Sequence, residues 1–318
     1  MKLSLVVPCY NEEGNISLMY QAIKNDFADA GFDYEIVFVN DGSRDGTIKE
    51  LNKLLDGDIP VKIVDFSRNF GKESAMYAGL KESCGEYVTI IDADLQQKPS
   101  IALEMVRMLE SEPEYDCVAA YQEERSEGKL ISALKNGFYK IINKFAETEF
   151  VQGASDFRTM RRTMADAIVD MDEYFRFSKG LFSWVGFNTK FIPYKADERA
   201  SGTSKWSMGK LFAYALEGIL AFTTAPLKLA SFGGITSAAL ALVYLIIVII
   251  EKLVKGIAVP GYATIVVLVA FLGGLQLFAL GIIGEYIGRI YVQTKGRPIY
   301  IAKKITKNNK YKEEEKNG

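Results

Sequence analysis

The sequence contains no histidine, and this absence excludes several classes of active site. Without histidine there is no Ser-His-Asp or Cys-His catalysis and no His-ligated zinc, so oxygen atoms must supply most ligands of any bound metal. The three cysteines, Cys9, Cys84 and Cys117, are widely spaced, which favours a reducing compartment over a disulfide framework. We interpret all three as small buried hydrophobic residues.

An excess of positive charge is also lacking. Lys and Arg number 38 against 40 Asp and Glu, so the net charge of -2 offers no general attraction for nucleic acid, and we expect no such partner. Neither GxGxxG after the first apolar run nor GxxxxGK[ST] occurs, which removes the usual support for dinucleotide-binding and P-loop folds. A nucleotide bound by this chain must be held differently.

The N-terminal part predicts alternating strands and helices. Apolar, β-branched runs predict strands at 3–8, 34–39, 61–66 and 87–91, and helical spacing of apolar residues predicts helices near 16–23, 48–55 and 73–83. Successive βα units favour an α/β fold with a mostly parallel sheet covered by helices. In such sheets ligands bind beyond the carboxyl ends of the strands, where Asn11, Asp41 and Asp92 fall.

The C-terminal third contains two long stretches without charge. Residues 229–250 form a run of about 22 residues, which at about 1.5 Å per residue crosses a hydrocarbon core of about 30 Å. A second run covers 256–284, with its helix expected at about 259–284, so the pair predicts a membrane hairpin. The alternative is a pair of buried core helices, although soluble helices seldom lack charge on every face for this long.

Charge around these stretches predicts an orientation. No signal-like segment is seen at the N-terminus, and Lys and Arg are frequent after the second span, so the positive-inside rule places both termini in the cytosol. The segment 205–226 predicts an amphipathic helix on the membrane surface, with an ordinary core-packed helix as the alternative. We therefore expect a multi-pass protein of the cell membrane, divided into a cytosolic catalytic domain (1–204), a juxtamembrane segment (205–226), a hairpin (227–288) and a basic cytosolic tail (289–318).

Two carboxylates and an amide follow the fourth predicted strand, in the run Asp92-Ala93-Asp94-Leu95-Gln96. Hard oxygen ligands of this kind suit Mg²⁺ or Mn²⁺, which commonly complete their coordination with substrate phosphates. Acidic pairs are common in loops, so the motif alone is weak evidence. Its position directly after a strand strengthens the prediction of a metal site.

Six motifs in one order carry a family resemblance. They are Val7-Pro8-Cys9-Tyr10-Asn11-Glu12-Glu13, Asn40-Asp41-Gly42-Ser43, Arg68-Asn69-Phe70-Gly71-Lys72, Asp92-Ala93-Asp94-Leu95-Gln96, Asp156-Phe157-Arg158 and Arg199-Ala200-Ser201-Gly202-Thr203-Ser204-Lys205-Trp206. The chain resembles family 2 glycosyltransferases, in particular the branch that acts on polyprenyl phosphates. The first two thirds resemble dolichol-phosphate mannose synthases, and nearly the whole chain, including Gly284-Glu285-Tyr286-Ile287-Gly288-Arg289, resembles bactoprenol glucosyltransferases.

The resemblance implies a GT-A type nucleotide-sugar-binding fold and roles for particular residues. It implies donor contacts from Pro8, Tyr10, Glu12, Asp41, Ser43, Lys72 and Asp92, a catalytic role for Asp94 and Asp156, and a metal held by Asp94 and Gln96. A plain turn at 40–43 is the alternative for the second motif. Lys72 is expected either near the donor diphosphate or facing solvent.

For the acceptor, the resemblance implies a lipid phosphate bound by cations near the membrane. Arg125, Arg199 and Lys205 are the candidates, since an Arg fork can hold two phosphate oxygens. The family often has a second Arg shortly before the position of Arg125, where this sequence has Gln122, so it departs here from a paired-Arg clamp. Asp156 occupies the position of the carboxylate aimed at the acceptor; we expect it to orient the acceptor through Arg158 or another cation, with a capping or salt-bridging role as the alternative.

The implied function is inverting transfer of one hexose, with UDP-glucose the preferred donor among UDP-hexoses, to polyprenyl (undecaprenyl) phosphate at the cytosolic face. We also expect a homo-oligomer. One rival is a processive polysaccharide synthase, which would carry a QxxRW motif absent here and need more spans. The other is a non-catalytic membrane scaffold, against which the intact set of Asp92, Asp94 and Gln96 argues.

Overall fold

Two compact units make up the chain, Met1–Gly218 together with Pro298–Gly318, and Ile219–Arg297. The computed structural model describes residues 1–122, 154–195, 223–255 and 261–311. The predicted acceptor-binding residues Arg125, Arg199 and Lys205 lie outside the described residues, as does most of the predicted juxtamembrane segment. Those predictions therefore stay predictions.

A mixed sheet with helices on both faces forms the first unit. Its strands are β1 (Leu3–Cys9), β2 (Tyr34–Asn40), β3 (Val61–Phe66), β4 (Tyr87–Ile90), β5 (Cys117–Gln122), β6 (Ala154–Arg161), β7 (Thr189–Tyr194) and β8 (Ala302–Lys307). Its helices are α1 (Ile16–Asp26), α2 (Thr47–Lys53), α3 (Lys72–Glu82), α4 (Pro99–Ser111), α5 (Arg162–Val169) and α6 (Ser178–Trp184). The strand order is β7-β5-β6-β4-β1-β2-β3-β8, and four of the seven pairings are parallel, which confirms the predicted mostly parallel α/β fold.

Strand β1 is apolar along its whole length because both faces of the sheet are covered. Its alternate residues Leu3, Leu5 and Val7 pack into the core that includes α1 and α4, while Val6 packs into the core that includes α3. A Cβ on Gly79 of α3 would lie 2.1 Å from a methyl carbon of Val6, so glycine lets this helix approach the sheet closely. The period-two pattern of the sequence thus places β1 at the centre of two cores.

The strand order reverses between β1 and β4, which creates a crevice at the carboxyl ends of these two strands. The chain runs outward from β1 through β2 to β3 and then returns to β4 on the other side of β1. Ligands of open α/β sheets bind at such a switch point, beyond the carboxyl ends of the strands. The loops that follow β1 and β4 border this crevice, and they carry two of the predicted motifs.

The last strand differs from the predicted division of the chain, which treated 289–318 as a separate basic tail. Strand β8 pairs antiparallel with β3 and forms one edge of the eight-stranded sheet. The side chain of Asn308 accepts from the Val61 N–H at 3.2 Å and donates to the Ile59 carbonyl at 2.7 Å, and Tyr311 is 1% exposed. The sequence prediction missed this strand because of its lysines, although charged residues are typical of edge strands.

The cysteine prediction is correct for Cys9 and Cys117, which are buried, and wrong for Cys84, which is exposed. Cys84 lies in the turn between α3 and β4, where its backbone N–H donates to the buried carboxylate of Glu35 at 2.8 Å. The thiol itself accepts from the hydroxyl of buried Tyr311 at 3.6 Å, although much of the residue stays exposed.

Two long apolar helices form the second unit, α7 (Ala225–Lys255) and α8 (Tyr262–Thr294). Both are long and apolar enough to cross a membrane, and large apolar side chains along them are exposed in the isolated chain. Helix α8 continues past the predicted end at Gly284, supported by an ion pair of 3.4 Å between Glu285 and Arg289 one turn apart. The Tyr286 hydroxyl donates to the Thr223 carbonyl at 2.8 Å, so the segment just before α7 meets the last part of α8, as in an antiparallel hairpin.

The position of β8 determines how the hairpin should be tested. Deleting the chain from Leu227 onward also removes β8, Asn308 and Tyr311, and we expect this to destabilise the first unit by about 3 kcal/mol or more, because buried side chains and ladder hydrogen bonds are lost together. Replacing 225–297 with a flexible Gly/Ser linker should restore stability and nucleotide binding, while transfer to a long-chain lipid falls. Urea unfolding and calorimetric nucleotide titration measure the first two effects. Equal stability of both variants would contradict the structural role of the return segment.

Candidate active site

The loops after β1 and β2 are joined by hydrogen bonds. The Asn11 N–H donates to the Ser43 hydroxyl at 2.9 Å, the Arg44 N–H donates to the Asn11 side chain at 2.9 Å, and the Glu12 N–H donates to the Thr47 hydroxyl at 2.8 Å. Pro8 is buried within β1 and Tyr10 follows it half-buried. The predicted donor-binding residues Pro8, Tyr10, Glu12 and Ser43 therefore lie close together at the ends of two neighbouring strands. With Asp41, we call these residues the platform.

Asp41 anchors the loop that follows β3. Its side chain is almost fully buried, and its two oxygens accept from the backbone N–H groups of Phe70 at 2.6 Å and Gly71 at 3.0 Å and from the Asn69 amide at 2.9 Å. Burial raises the pKa of Asp41 to about 6, although the backbone hydrogen bonds act in the opposite direction. Its predicted contact with the donor stays a prediction, while its observed hydrogen bonds position residues 69–71.

Gly42 permits this close meeting of loops. Its backbone has a φ of +60°, and a Cβ there would lie 2.3 Å from the Arg68 carbonyl carbon. Only glycine combines that left-handed conformation with that approach. The Asn-Asp-Gly-Ser motif is thus more than a plain turn, since its contacts fix the position of the loop that leads into Lys72.

Lys72 joins two carboxylates that come from different strands. Its ammonium lies 2.7 Å from Asp92 Oδ1 and 2.8 Å from Asp156 Oδ2. Desolvation lowers the pKa of Lys72, but the two carboxylates outweigh it and hold that pKa well above its usual value. The antiparallel register pairs Ile90 with Arg158, so two residues further along Asp92 and Asp156 face each other.

The electrostatics of Asp156 follow from its cations. Burial raises its pKa, but the charges of Lys72 and then Lys179 outweigh that effect and lower the pKa to about 2. Of the two kinds of partner predicted, the ion pair goes to Lys72, while the Arg158 guanidinium lies over the Phe182 ring at 3.6 Å. Asp156 Oδ1 is buried and accepts no hydrogen bond from any described residue.

Gln97 is a site residue that the sequence analysis missed. Its side-chain oxygen accepts from the Asp92 N–H at 2.9 Å, and its amide donates to Asp92 Oδ2 at 3.3 Å. Asp92 is therefore held by Gln97 on one oxygen and by Lys72 on the other. Gln97 directly follows the motif residue Gln96, and its burial, with 4% of the residue exposed, distinguishes it from that neighbour.

Asp94 and Gln96 provide oxygen atoms suited to a divalent cation. Both are half-buried, and Leu95 between them has a φ of +61°, a strained conformation for leucine that bends the loop. The Gln96 N–H donates to Asp94 Oδ1 at 3.2 Å. Among the described residues, no three Cys, Asp or Glu side chains are placed to hold a metal ion together, so phosphate and water oxygens would complete the coordination, as Mg²⁺ prefers.

Comparison with known proteins gives the family. Residues 4–169 match the model of glycosyl transferase family 2. The chain belongs to glycosyl transferase family 2. Residues 225–290 match a second model, the GtrB C-terminal hairpin, so the family's catalytic domain and this hairpin occur together in one chain.

Relatives of this family 2 glycosyltransferase align over nearly its full length. CsbB of Bacillus subtilis (strain 168), named as a glycosyltransferase, is 43% identical over 308 residues, which cover 97% of this chain and 93% of the relative. The bactoprenol glucosyl transferase of Shigella phage SfII is 40% identical over 310 residues, 97% of this chain and 100% of that protein. The structure of mannosyl-3-phosphoglycerate synthase from Rubrobacter xylanophilus, 17% identical, aligns with a TM-score of 0.50 over 69% of this chain and 72% of its own, which supports the fold alone.

Proposed function

We propose that the protein transfers one hexose, with inversion, from a UDP-sugar to polyprenyl (undecaprenyl) phosphate at the cytosolic membrane face, with UDP-glucose as the preferred donor. The observation that carries this is the union of a family 2 catalytic domain with a hairpin of the GtrB type in one chain. The phage relative, aligned over its whole length, is named for a glucosyl transfer to bactoprenol.

The chain path supports a two-span membrane protein. The catalytic unit ends before Ile219 and resumes at Pro298, with both candidate spans between them. Because β8 belongs to the catalytic sheet, the chain must return to the side it left, which requires an even number of crossings. With the basic residues after α8, this supports catalytic domain and C-terminal strand both in the cytosol.

On the donor side, the platform of Pro8, Tyr10, Glu12, Asp41 and Ser43 is assigned to the nucleoside. Asp94 and Gln96 would hold Mg²⁺ or Mn²⁺, which when bound neutralises the charge of the diphosphate leaving group. Asp92, held by Gln97 and Lys72, faces the donor sugar in this assignment. In this assignment the two carboxylates have different roles, because Asp94 binds the metal and Asp92 faces the sugar.

The chemical step needs little base catalysis. An acceptor phosphate oxygen forms a bond to the anomeric carbon while the bond to the donor diphosphate breaks and its electron pair leaves with the nucleotide. The second pKa of a phosphomonoester is about 6, so most acceptor is already a dianion near pH 7. A carboxylate with a pKa of about 2 is a weak base, which supports an orienting role for Asp156.

Replacing Asp156 with Asn tests this role. The change keeps the shape and removes the charge and basicity, so we expect a partial loss of turnover, about tenfold, which recovers relative to wild type as pH rises above the acceptor's pKa of about 6. The measurement is turnover from about pH 6 to about pH 9 at saturating donor. A loss of several orders of magnitude that is constant across this range would instead make Asp156 essential to the chemical step.

The proposed function itself is tested with purified full-length protein in lipid nanodiscs. We expect label from a UDP-hexose, in a panel of radiolabelled UDP- and GDP-sugars, to enter extractable polyprenyl phosphate as a single sugar. A polymer as product would favour a processive synthase, and no donor turnover at all would favour a scaffold.

A further inference from the structure

A buried contact beside the Lys72 cluster remains outside the roles assigned above. Glu73, next to Lys72 at the start of α3, accepts on one carboxylate oxygen from the Ser178 N–H at 2.9 Å and also from the Ser178 hydroxyl. Ser178 is 5% exposed and begins α6, and the residue after it is Lys179. The pairs Lys72-Glu73 and Ser178-Lys179 are thus fastened to each other across two helices.

This contact brings a second cation toward Asp156. Lys179 directly follows Ser178, which is held to Glu73 beside Lys72, and its positive charge lowers the pKa of Asp156, second among the cations after Lys72. Lys179 is half-buried, and it forms no ion pair within the described ranges, whereas Lys72 already bridges two carboxylates. A cation held near a site without a carboxylate of its own is suited to an anionic ligand.

The Asp156 carboxylate presents the complementary group. Oδ2 is taken by Lys72, but Oδ1 is buried with no donor from the part of the chain that the structure describes. Leaving a buried acceptor unpaired costs about 1 to 3 kcal/mol, so such an atom is matched to a ligand that donates. A phosphate monoester can satisfy both groups. Its oxygens accept from an ammonium, and in its monoanionic form its P–O–H can donate to Oδ1.

The charge balance agrees with an incoming phosphate. Burial and then the charge of Asp156 raise the pKa of Glu73 to about 7, so at neutral pH it is only partly ionised. Glu73 therefore adds little negative charge to the group formed by Lys72, Lys179, Asp92 and Asp156. A phosphate bound by Lys179 meets a nearly neutral cluster rather than a repelling one.

We propose that Lys179 binds the phosphate of the acceptor, and that the Glu73–Ser178 contact positions it there. The inference rests on the proposed function and adds a residue to it. The ligand is a phosphomonoester, presented either by the lipid or by a short soluble prenyl phosphate.

The test compares Lys179→Gln, Lys179→Arg and the control Lys190→Gln in full-length protein in nanodiscs. Lys190 pairs with Glu112 at 2.6 Å on β7, outside the site. We expect Lys179→Gln to raise KM for undecaprenyl phosphate about ten- to a hundredfold, as loss of a charge-assisted hydrogen bond predicts, with KM for the nucleotide-sugar unchanged. Lys179→Arg should restore most of the affinity, and Ser178→Ala should show a smaller shift in the same direction.

Two further comparisons distinguish a contact with the phosphate from a contact with the lipid, and failure of this inference from failure of the proposed function. Equal loss with a short soluble prenyl phosphate assigns Lys179 to the phosphate itself, and loss confined to the long-chain lipid would overturn that in favour of a membrane contact. An unchanged acceptor KM, or a change confined to the donor, overturns the inference while the proposed function stands. Wild-type protein that transfers no sugar to polyprenyl phosphate overturns both. Nucleotide titration and thermal unfolding of each variant confirm that the fold is intact.

Discussion

Asp94→Asn is expected to reduce turnover by about a hundred- to a thousandfold while leaving the fold unchanged. Asn keeps an oxygen that can accept the Gln96 N–H, so the strained turn at Leu95 is preserved. What is lost is the negative charge toward a divalent cation, and with it several kcal/mol of stabilisation of the departing diphosphate, where each 1.4 kcal/mol is about a factor of ten.

The measurement is turnover as a function of Mg²⁺ and Mn²⁺ concentration, because the variant should also need more metal to reach its own maximum. Asp166→Asn is a matched control, since that carboxylate is largely exposed on α5 and pairs only loosely with Arg162 at 3.5 Å. Full activity of Asp94→Asn, or of wild type in excess EDTA, would remove the metal from the mechanism.

Lys72→Met is expected to lower turnover at least a hundredfold and to make stability depend differently on pH. Without the ammonium, Asp92 and Asp156 face each other uncompensated beside the position assigned to the donor, which is itself anionic. Removing one partner of a fully buried ion pair costs about 3 to 5 kcal/mol, and because the Lys72 side chain is 43% exposed we expect about 1 to 2 kcal/mol.

The sign of the pH effect follows from Asp156. In wild type its pKa is lowered to about 2, so it contributes stability that is present above its unfolded pKa of about 4 and is lost as pH falls through about 2. In Lys72→Met, burial and Asp92 are opposed by the remaining charges of Lys179 and Arg158, so the pKa of Asp156 rises and its contribution to stability near neutral pH becomes smaller. The deficit should therefore be small in acid and reach its full size near neutral pH.

Urea unfolding across this pH range measures the deficit, and Lys72→Arg should recover part of both effects because it keeps the charge. Lys53→Met serves as the control, since Lys53 pairs with Glu50 at 2.5 Å on an exposed helix face. A deficit that does not change with pH would show that Lys72 acts through packing and not through its charge.

The catalytic sheet was predictable where residues close in sequence decide the structure. The four parallel strands and their helices follow from local apolar periodicity, and their loops from the motifs at each strand end. The later strands β5 to β7 were not predicted, and β8 was assigned to a tail, because an edge strand of Ala-Lys-Lys-Ile-Thr-Lys is recognisable only once β3 is beside it.

The site divides in the same way. Residue types and their order were enough to predict Asp94 and Gln96 as oxygen ligands, and to identify the family and two apolar stretches of membrane-spanning length, since each of these is a property of a short segment. Only the tertiary structure showed that Lys72 bridges Asp92 and Asp156, that Gln97 holds Asp92, and that Glu73 holds Ser178. These contacts join residues brought together by strand register and by helix packing across the sheet. Which carboxylate an ammonium meets therefore depends on distances that no local pattern encodes.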